Sequence, residues 1–140
     1  MIIEYNHRWP VDLHVAGCVC LCGDEVLLVK RHQSKPFGGM WALPTGKLEP
    51  GERTIDAVRR ELAEEVGLAL AESEFAPLND VVVALDGALL RYVSFAVRVH
   101  DKPDLFLNDT ELSTARWQDI RQVRAKRTIP YLWDTLSDAL

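Results

Sequence analysis

The stretch "GKLEPGERTIDAVRRELAEEVGL", residues 46–68, opens as a loop and closes as a helix. Gly46, Pro50 and Gly51 punctuate its first part. Ile55, Val58, Leu62 and Val66 then recur at three- and four-residue intervals, the spacing of one buried helical face, and predict a helix over about Ile55–Val66. Thr54 stands where an N-cap belongs, Asp56 suits the positive end of the helix dipole, and Gly67 ends the run. At ~100° per residue, Glu61, Glu64 and Glu65 fall on a narrow arc beside the apolar face, at the edge of the core.

Crowding of this kind costs free energy. Two carboxylates about 6 Å apart repel by roughly 0.7 kcal/mol in water and about 3 kcal/mol at an effective dielectric of ~20. A solvated acidic face, softened by Arg59 and Arg60, is one resolution. A bound hard cation is the other, because magnesium takes a few carboxylates together with water and substrate phosphates. The composition bears on the choice. The chain has 140 residues, 48% hydrophobic and 26% charged, which suits one globular domain over residues 1–140. Its net charge of −5 comes with no basic block, which argues against a nucleic-acid duplex or a membrane surface as partner. A polyanionic substrate would be repelled at long range, so local positive charge has to receive it.

The opening "MIIEYNHRWPVDLHVAG" lacks a basic start, a long apolar run and a small-residue cleavage site, so no secretion signal is expected. The three cysteines form an odd, closely spaced set that implies no disulfide framework, and a cytoplasmic setting is the expectation. Cys18, Cys20 and Cys22 alternate and would share one face of a strand. With no C-x-x-C pair and no histidine at zinc-finger spacing, they read as strand packing.

Outward from the opening stretch, residues 12–22 alternate like a strand, Gly23-Asp24 turns, and "EVLLVKR" returns as a second strand. "HQSKPFGGMWALPTGK" is loop, with a short strand at Trp41–Leu43. "DVVVAL" and "LLRYVSFAVRV" form a hairpin across Asp86-Gly87. "DKPDLFLNDTELST" reads as loop and "ARWQDI" as strand and turn. "IPYLWDTLSDAL" fits a closing amphipathic helix with Pro130 in its first turn. The fold class is α+β or α/β, with helices packed on a mixed sheet.

The 23 residues of the opening stretch resemble the signature of the Nudix hydrolases: Gly46, Glu52, Arg60-Glu61, Leu62, Glu64-Glu65, Gly67 and Leu68 fill every defined position. The lead-in "WALPTGKLEPGE" looks family-like too, except that Thr45 stands where many members carry a second glycine. The resemblance implies an α/β/α sandwich around a mixed sheet, with a loop-helix-loop catalytic motif. It implies Glu61, Glu64 and Glu65 as ligands of magnesium or manganese, joined by the Gly46 carbonyl, and Glu52 and Arg60 as a pair bracing the loop on the helix. The implied chemistry is hydrolysis of a diphosphate linkage in a nucleoside diphosphate joined to another group, by a water made acidic on the metal.

A carboxylate held firmly by a cation is a poor base, so the less tightly bound of Glu64 and Glu65, or Glu111 in the late loop, is the candidate proton acceptor. Asp109 is a weaker candidate of the same kind, and an exposed loop acid is an equal reading of Glu111. Arg31 and Lys35 can contact phosphates or be surface charge; Phe37 and Trp41 can stack a base or anchor the loop. Arg91, with Tyr92 and Phe95, lines either the pocket floor or the sheet. A MutT-like nucleoside triphosphate pyrophosphohydrolase is the first expectation, ADP-ribose or a nucleotide sugar the second, and a non-catalytic nucleotide sensor the third. Residues 1–11 and the apolar C-terminal segment are available to a homodimer.

Overall fold

The computed structural model describes residues 2–108 and 110–140. In chain order its elements are β1 (Ile2–Glu4), β2 (Leu13–Cys22), β3 (Glu25–Arg31), β4 (Trp41–Ala42), β5 (Thr45–Lys47), α1 (Thr54–Val66), β6 (Phe75–Leu85), β7 (Ala88–Arg98), β8 (Leu112–Asp119) and α2 (Leu132–Asp138), with short 3-10 turns at Glu72–Glu74 and Ile120–Ala125. Asp109 lies outside the described residues.

The sheet runs β1-β6-β7-β2-β3-β4, with β5 added on β2 and β8 on β3. β2 and β7 pair in parallel and the named neighbours otherwise pair antiparallel, so the sheet is mixed. Strand alternation sorts the buried side chains onto two faces. On one, Ala16, Cys18, Cys20, Leu27, Val29, Val93, Phe95 and Val97 pack with Val58, Leu62 and Val66 of α1. On the other, Val19, Leu21, Val26, Leu28 and Trp41 pack with Leu132 and Leu136 of α2. Helix, sheet and helix therefore form three layers. The cysteines sit in the first face, where burial pushes the Cys20 thiol up to about 12, and all three are free.

The observed helix begins at Thr54, with Arg53 and not Thr54 in the N-cap position. Arg53 has no side-chain acceptor for the first helical amides; its guanidinium instead holds Asp56 at 2.8 Å and Glu72 at 3.1 Å. The C-terminal helix starts later than its sequence suggests. Tyr131 occupies a left-handed conformation (φ 70°) before Leu132, which leaves Pro130 outside the helix. β8 starts at Leu112, three residues before the strand read from "ARWQDI", because the segment adds to β3 from Leu112↔Arg31 to Asp119↔Glu25. β1, which had no strong pattern of its own, pairs with β6 at Ile2↔Val83. No helix among the described residues is long and apolar enough to cross a membrane.

Candidate active site

The loop that precedes α1 is laid on the sheet by β5, where Lys47, Gly46 and Thr45 pair with Val15, Ala16 and Gly17. Thr45 fits because Gly17 has no side chain: a Cβ there would stand 2.7 Å from the Thr45 hydroxyl and 2.5 Å from that of Tyr92. The Thr45 hydroxyl also donates to the Leu43 carbonyl at 3.0 Å. One residue on, the space where Gly46 lacks a Cβ is filled by the carboxyl group of Glu61, and any larger residue would collide with it. The loop and the acidic helix edge thus meet at Gly46.

Arg60 is the hub of that edge. It pairs with both oxygens of Glu52, Nε to Oε2 at 2.8 Å and Nη2 to Oε1 at 2.9 Å, and Nη2 also donates to the Lys47 carbonyl at 3.0 Å. Its Nη1 reaches Glu61 at 2.8 Å and Glu64 at 3.3 Å. The Arg60 guanidinium, only partly exposed, holds the Glu52 carboxyl down to about 2. Hydrogen bonds from a fixed guanidinium favour the carboxylate form, and the fork geometry makes the brace directional.

Glu65 lies on the other side of Glu61. Burial, the Glu61 carboxylate and hydrogen bonding between the two carboxyls push Glu65 well above the usual carboxylate range; Glu111 adds to the rise, while Arg31 opposes it. These four side chains therefore share one electrostatic neighbourhood. Glu65 Oε2 is fully buried and has no hydrogen-bond partner in the protein, which costs free energy unless a further group satisfies it. Among the described residues no three Asp, Glu, His or Cys side chains converge as a ready metal cage. Glu64, 57% exposed, pairs with Arg60.

The donor set nevertheless suits a hard divalent cation. It offers carboxylate oxygens, an orphaned buried acceptor and a side-chain-free Gly46 beside them, with no soft ligand among them.

A segment with no signature of its own completes the site. The chain at 106–108 crosses the end of α1, where Phe106 N–H donates to the Val66 carbonyl and Asn108 N–H to the Glu65 carbonyl, each at 2.9 Å. These two bonds satisfy carbonyls that a helix end leaves open. Phe106 rests over Gly67, whose φ of 75° lets the helix stop there. Glu111 follows and is tied back to the end of β3, where His32 N–H donates to its carbonyl. Its carboxylate, 59% exposed, stands 3.8 Å from the Lys35 ammonium. Arg31 donates through Nε to the Pro36 carbonyl at 2.7 Å, fixing the guanidinium near the carboxylates.

Three further residues read in the sequence either as substrate contacts or as structural. Arg91 binds Asp80 through two bonds of 2.9 and 2.7 Å and covers the Tyr5 ring at 4.4 Å, so its charge is committed to β6 and is absent from those acting on Glu65. Trp41 is buried at 9% exposure in the α2-side core. Phe37, half-buried, turns the loop with φ 58°, its carbonyl accepting from Met40 N–H at 3.1 Å. The neighbourhood of Glu61, Glu65, Arg31 and Glu111 draws together residues from α1, β3 and the loop before β8, a grouping that no spacing in the chain displays.

Comparison with known proteins identifies a family and a fold. The NUDIX domain family matches residues 12–137. Over 111 residues the chain is 26% identical to the uncharacterized Nudix hydrolase YvcI of Bacillus subtilis, covering 79% of this chain and 68% of YvcI. Over 87 residues it is 39% identical to putative 8-oxo-dGTP diphosphatase 2 of Mycobacterium tuberculosis, covering 61% of this chain and 58% of the relative. The chain thus spans little more than half the length of that diphosphatase. Among solved structures, the NUDIX domain of Shewanella oneidensis NrtR in complex with ADP ribose superposes with a TM-score of 0.82 at 19% identity, over 96% of this chain and 91% of that one.

Proposed function

This chain belongs to the Nudix hydrolase family, enzymes acting on pyrophosphate bonds in nucleotide substrates, and from that premise we propose that it is a magnesium-dependent, MutT-like nucleoside triphosphate pyrophosphohydrolase. The observation that carries the metal dependence is the buried, unpartnered Oε2 of Glu65 beside the Glu61 carboxylate. The triphosphate reading is supported by the 39% identity to putative 8-oxo-dGTP diphosphatase 2 of Mycobacterium tuberculosis. A fold-level likeness to a domain holding ADP ribose carries no substrate assignment by itself.

Glu61, Glu64, Glu65 and the Gly46 carbonyl would hold the cation. Bound there, the ion would supply positive charge for phosphate oxygens and acidify a water. The chain's own residues do the rest. Arg31, pinned to Pro36, presents its guanidinium to the phosphate chain, and Lys35 adds a second positive charge from the same loop. Glu111 takes the proton of the attacking water on its carboxylate: it is exposed, lies outside the Arg60 network, and acts on Glu65 from across the site. Glu52 and Arg60 keep the loop fixed on the helix while this happens.

The test is incubation with a panel of nucleoside triphosphates, ADP-ribose and nucleotide sugars with magnesium, with products identified by mass. Triphosphates are expected to yield the monophosphate and pyrophosphate. Cleavage of ADP-ribose alone would transfer the assignment to the second substrate class, and tight binding without cleavage would make the domain a sensor. Glu111→Gln should lower kcat by about 10²-fold and leave metal binding in place; unchanged turnover would remove Glu111 from the mechanism.

A further inference from the structure

On the α2 side of the sheet, three cations surround one aromatic ring. The Lys126 ammonium stands 4.9 Å, the Arg116 guanidinium 5.2 Å and the Lys30 ammonium 5.7 Å from the centre of Trp41. They come from separate parts of the chain. Lys30 is opposite Trp41 in the β3–β4 register, Arg116 is opposite Leu28 in the β3–β8 register, and Lys126 follows the 3-10 turn after β8. Lys30 follows Val26 and Leu28 on the α2-side face, whereas Arg31, which acts on Glu65, belongs to the other.

A single cation over a tryptophan is ordinary. Three around one ring are not, because each gains from the same quadrupole while repelling the other two. Among the described residues no carboxylate forms an ion pair with any of them; Arg116 has only the neutral Gln118 Oε1, at 3.2 Å. Burial and the positive charges of Arg116 and Lys30 hold the Lys126 ammonium below its ordinary range. All this occurs in a chain with a net charge of −5, where acidic partners are in excess.

We propose that Lys30, Arg116 and Lys126, gathered around Trp41, form a binding site for a phosphate-type oxyanion, on the face of the sheet opposite the catalytic carboxylates. A compact anion with several oxygens accepts from an Arg fork and two ammonium groups at once, and converts their mutual repulsion into shared attraction. The inference stands on this geometry alone and is independent of the hydrolytic assignment.

The experiment follows the assigned Trp41 indole resonance in metal-free protein at low ionic strength. Phosphate, pyrophosphate and AMP are titrated against chloride at matched ionic strength. Phosphate should shift the resonance saturably and pyrophosphate at lower concentration; a tighter response to AMP would identify a nucleotide as the source of the phosphate. The Arg116→Gln/Lys126→Gln double variant should weaken the response about tenfold or more, with the rest of the spectrum retained. In anion-free buffer Lys126→Gln should melt no lower than the parent protein, since it relieves repulsion. Equal shifts by phosphate and chloride, a wild-type midpoint in the double variant, or a marked fall in the melting temperature of Lys126→Gln would each overturn the site and leave a packing role for the three cations.

Discussion

Glu65 concentrates the tension of the site in one carboxyl group. In the metal-free protein it is held well above the usual carboxylate range by burial and by Glu61, with one oxygen lacking a partner. Replacement by the neutral isostere removes that burden along with a ligand. Glu65→Gln should therefore melt at or above the wild-type temperature without metal, yet lose magnesium-dependent stabilisation and about 10²-fold or more of turnover. Thermal denaturation with and without magnesium, paired with steady-state rates, checks both halves. A variant that keeps wild-type rates would show that Glu65 is not a working ligand.

Glu52 behaves in the opposite sense. Its carboxyl moves from 4.5 to about 2 on folding, chiefly through the Arg60 hydrogen bonds, and its side chain is 13% exposed. A depressed native value means stability that is present in full above the unfolded value and is lost as pH falls from about 4.5 towards 2. The contribution at neutral pH is on the order of 3 kcal/mol. Glu52→Gln should lose stability of that order at pH 7 and little near pH 2, which urea unfolding across that range measures. A pH dependence equal to that of wild type would show that the pair contributes nothing net.

At the scale of elements, α1 does two jobs with adjoining stripes. Leu62 is 1% exposed in the core with Val58 and Val66, while Glu61 and Glu65 flank that stripe. Leu62→Ala should cost about 2–5 kcal/mol in denaturant unfolding while the folded fraction retains near-normal turnover. Gly46→Ala should do the reverse: its Cβ meets the Glu61 carboxyl, so magnesium stabilisation should fall more than metal-free stability. Equal metal dependence in the two variants would argue against the loop–helix contact as the organiser of the site.

This element was legible in the sequence because its period and its terminal Gly67 are local signals, and because the acid spacing falls within one helix. The start of the helix was less so: Arg53 takes the cap position through ion pairs to Asp56 and Glu72, and the second of these depends on the fold. The early start of β8 and the crossing of residues 106–108 over the helix end were also hidden, since each is fixed by a partner distant in sequence. The pairing of Arg91 with Asp80 was hidden for the same reason, being visible only once β6 and β7 are paired.

For the whole molecule, the mixed sheet separates two chemistries. One face meets α1 and brings the Glu61–Glu65 pair to Arg31 and Glu111; the other meets α2 and exposes cations around Trp41. The acidic net charge and a mixed sheet with packed helices could be read from composition and pattern, and the three layers from the family resemblance, but which charged residues gather at which face depends on strand order. A cation that binds only the folded state stabilises it by mass action, about 2.7 kcal/mol at a hundredfold excess over Kd. That ties the site's affinity to the global melting temperature.

Titration of metal-free protein with manganese, with bound ion counted by electron paramagnetic resonance, tests most directly whether the acidic helix edge is a cation site. Wild type should bind manganese in competition with magnesium, and Glu61→Gln and Glu65→Gln should each bind it far more weakly. Undiminished manganese binding in both variants would contradict the account.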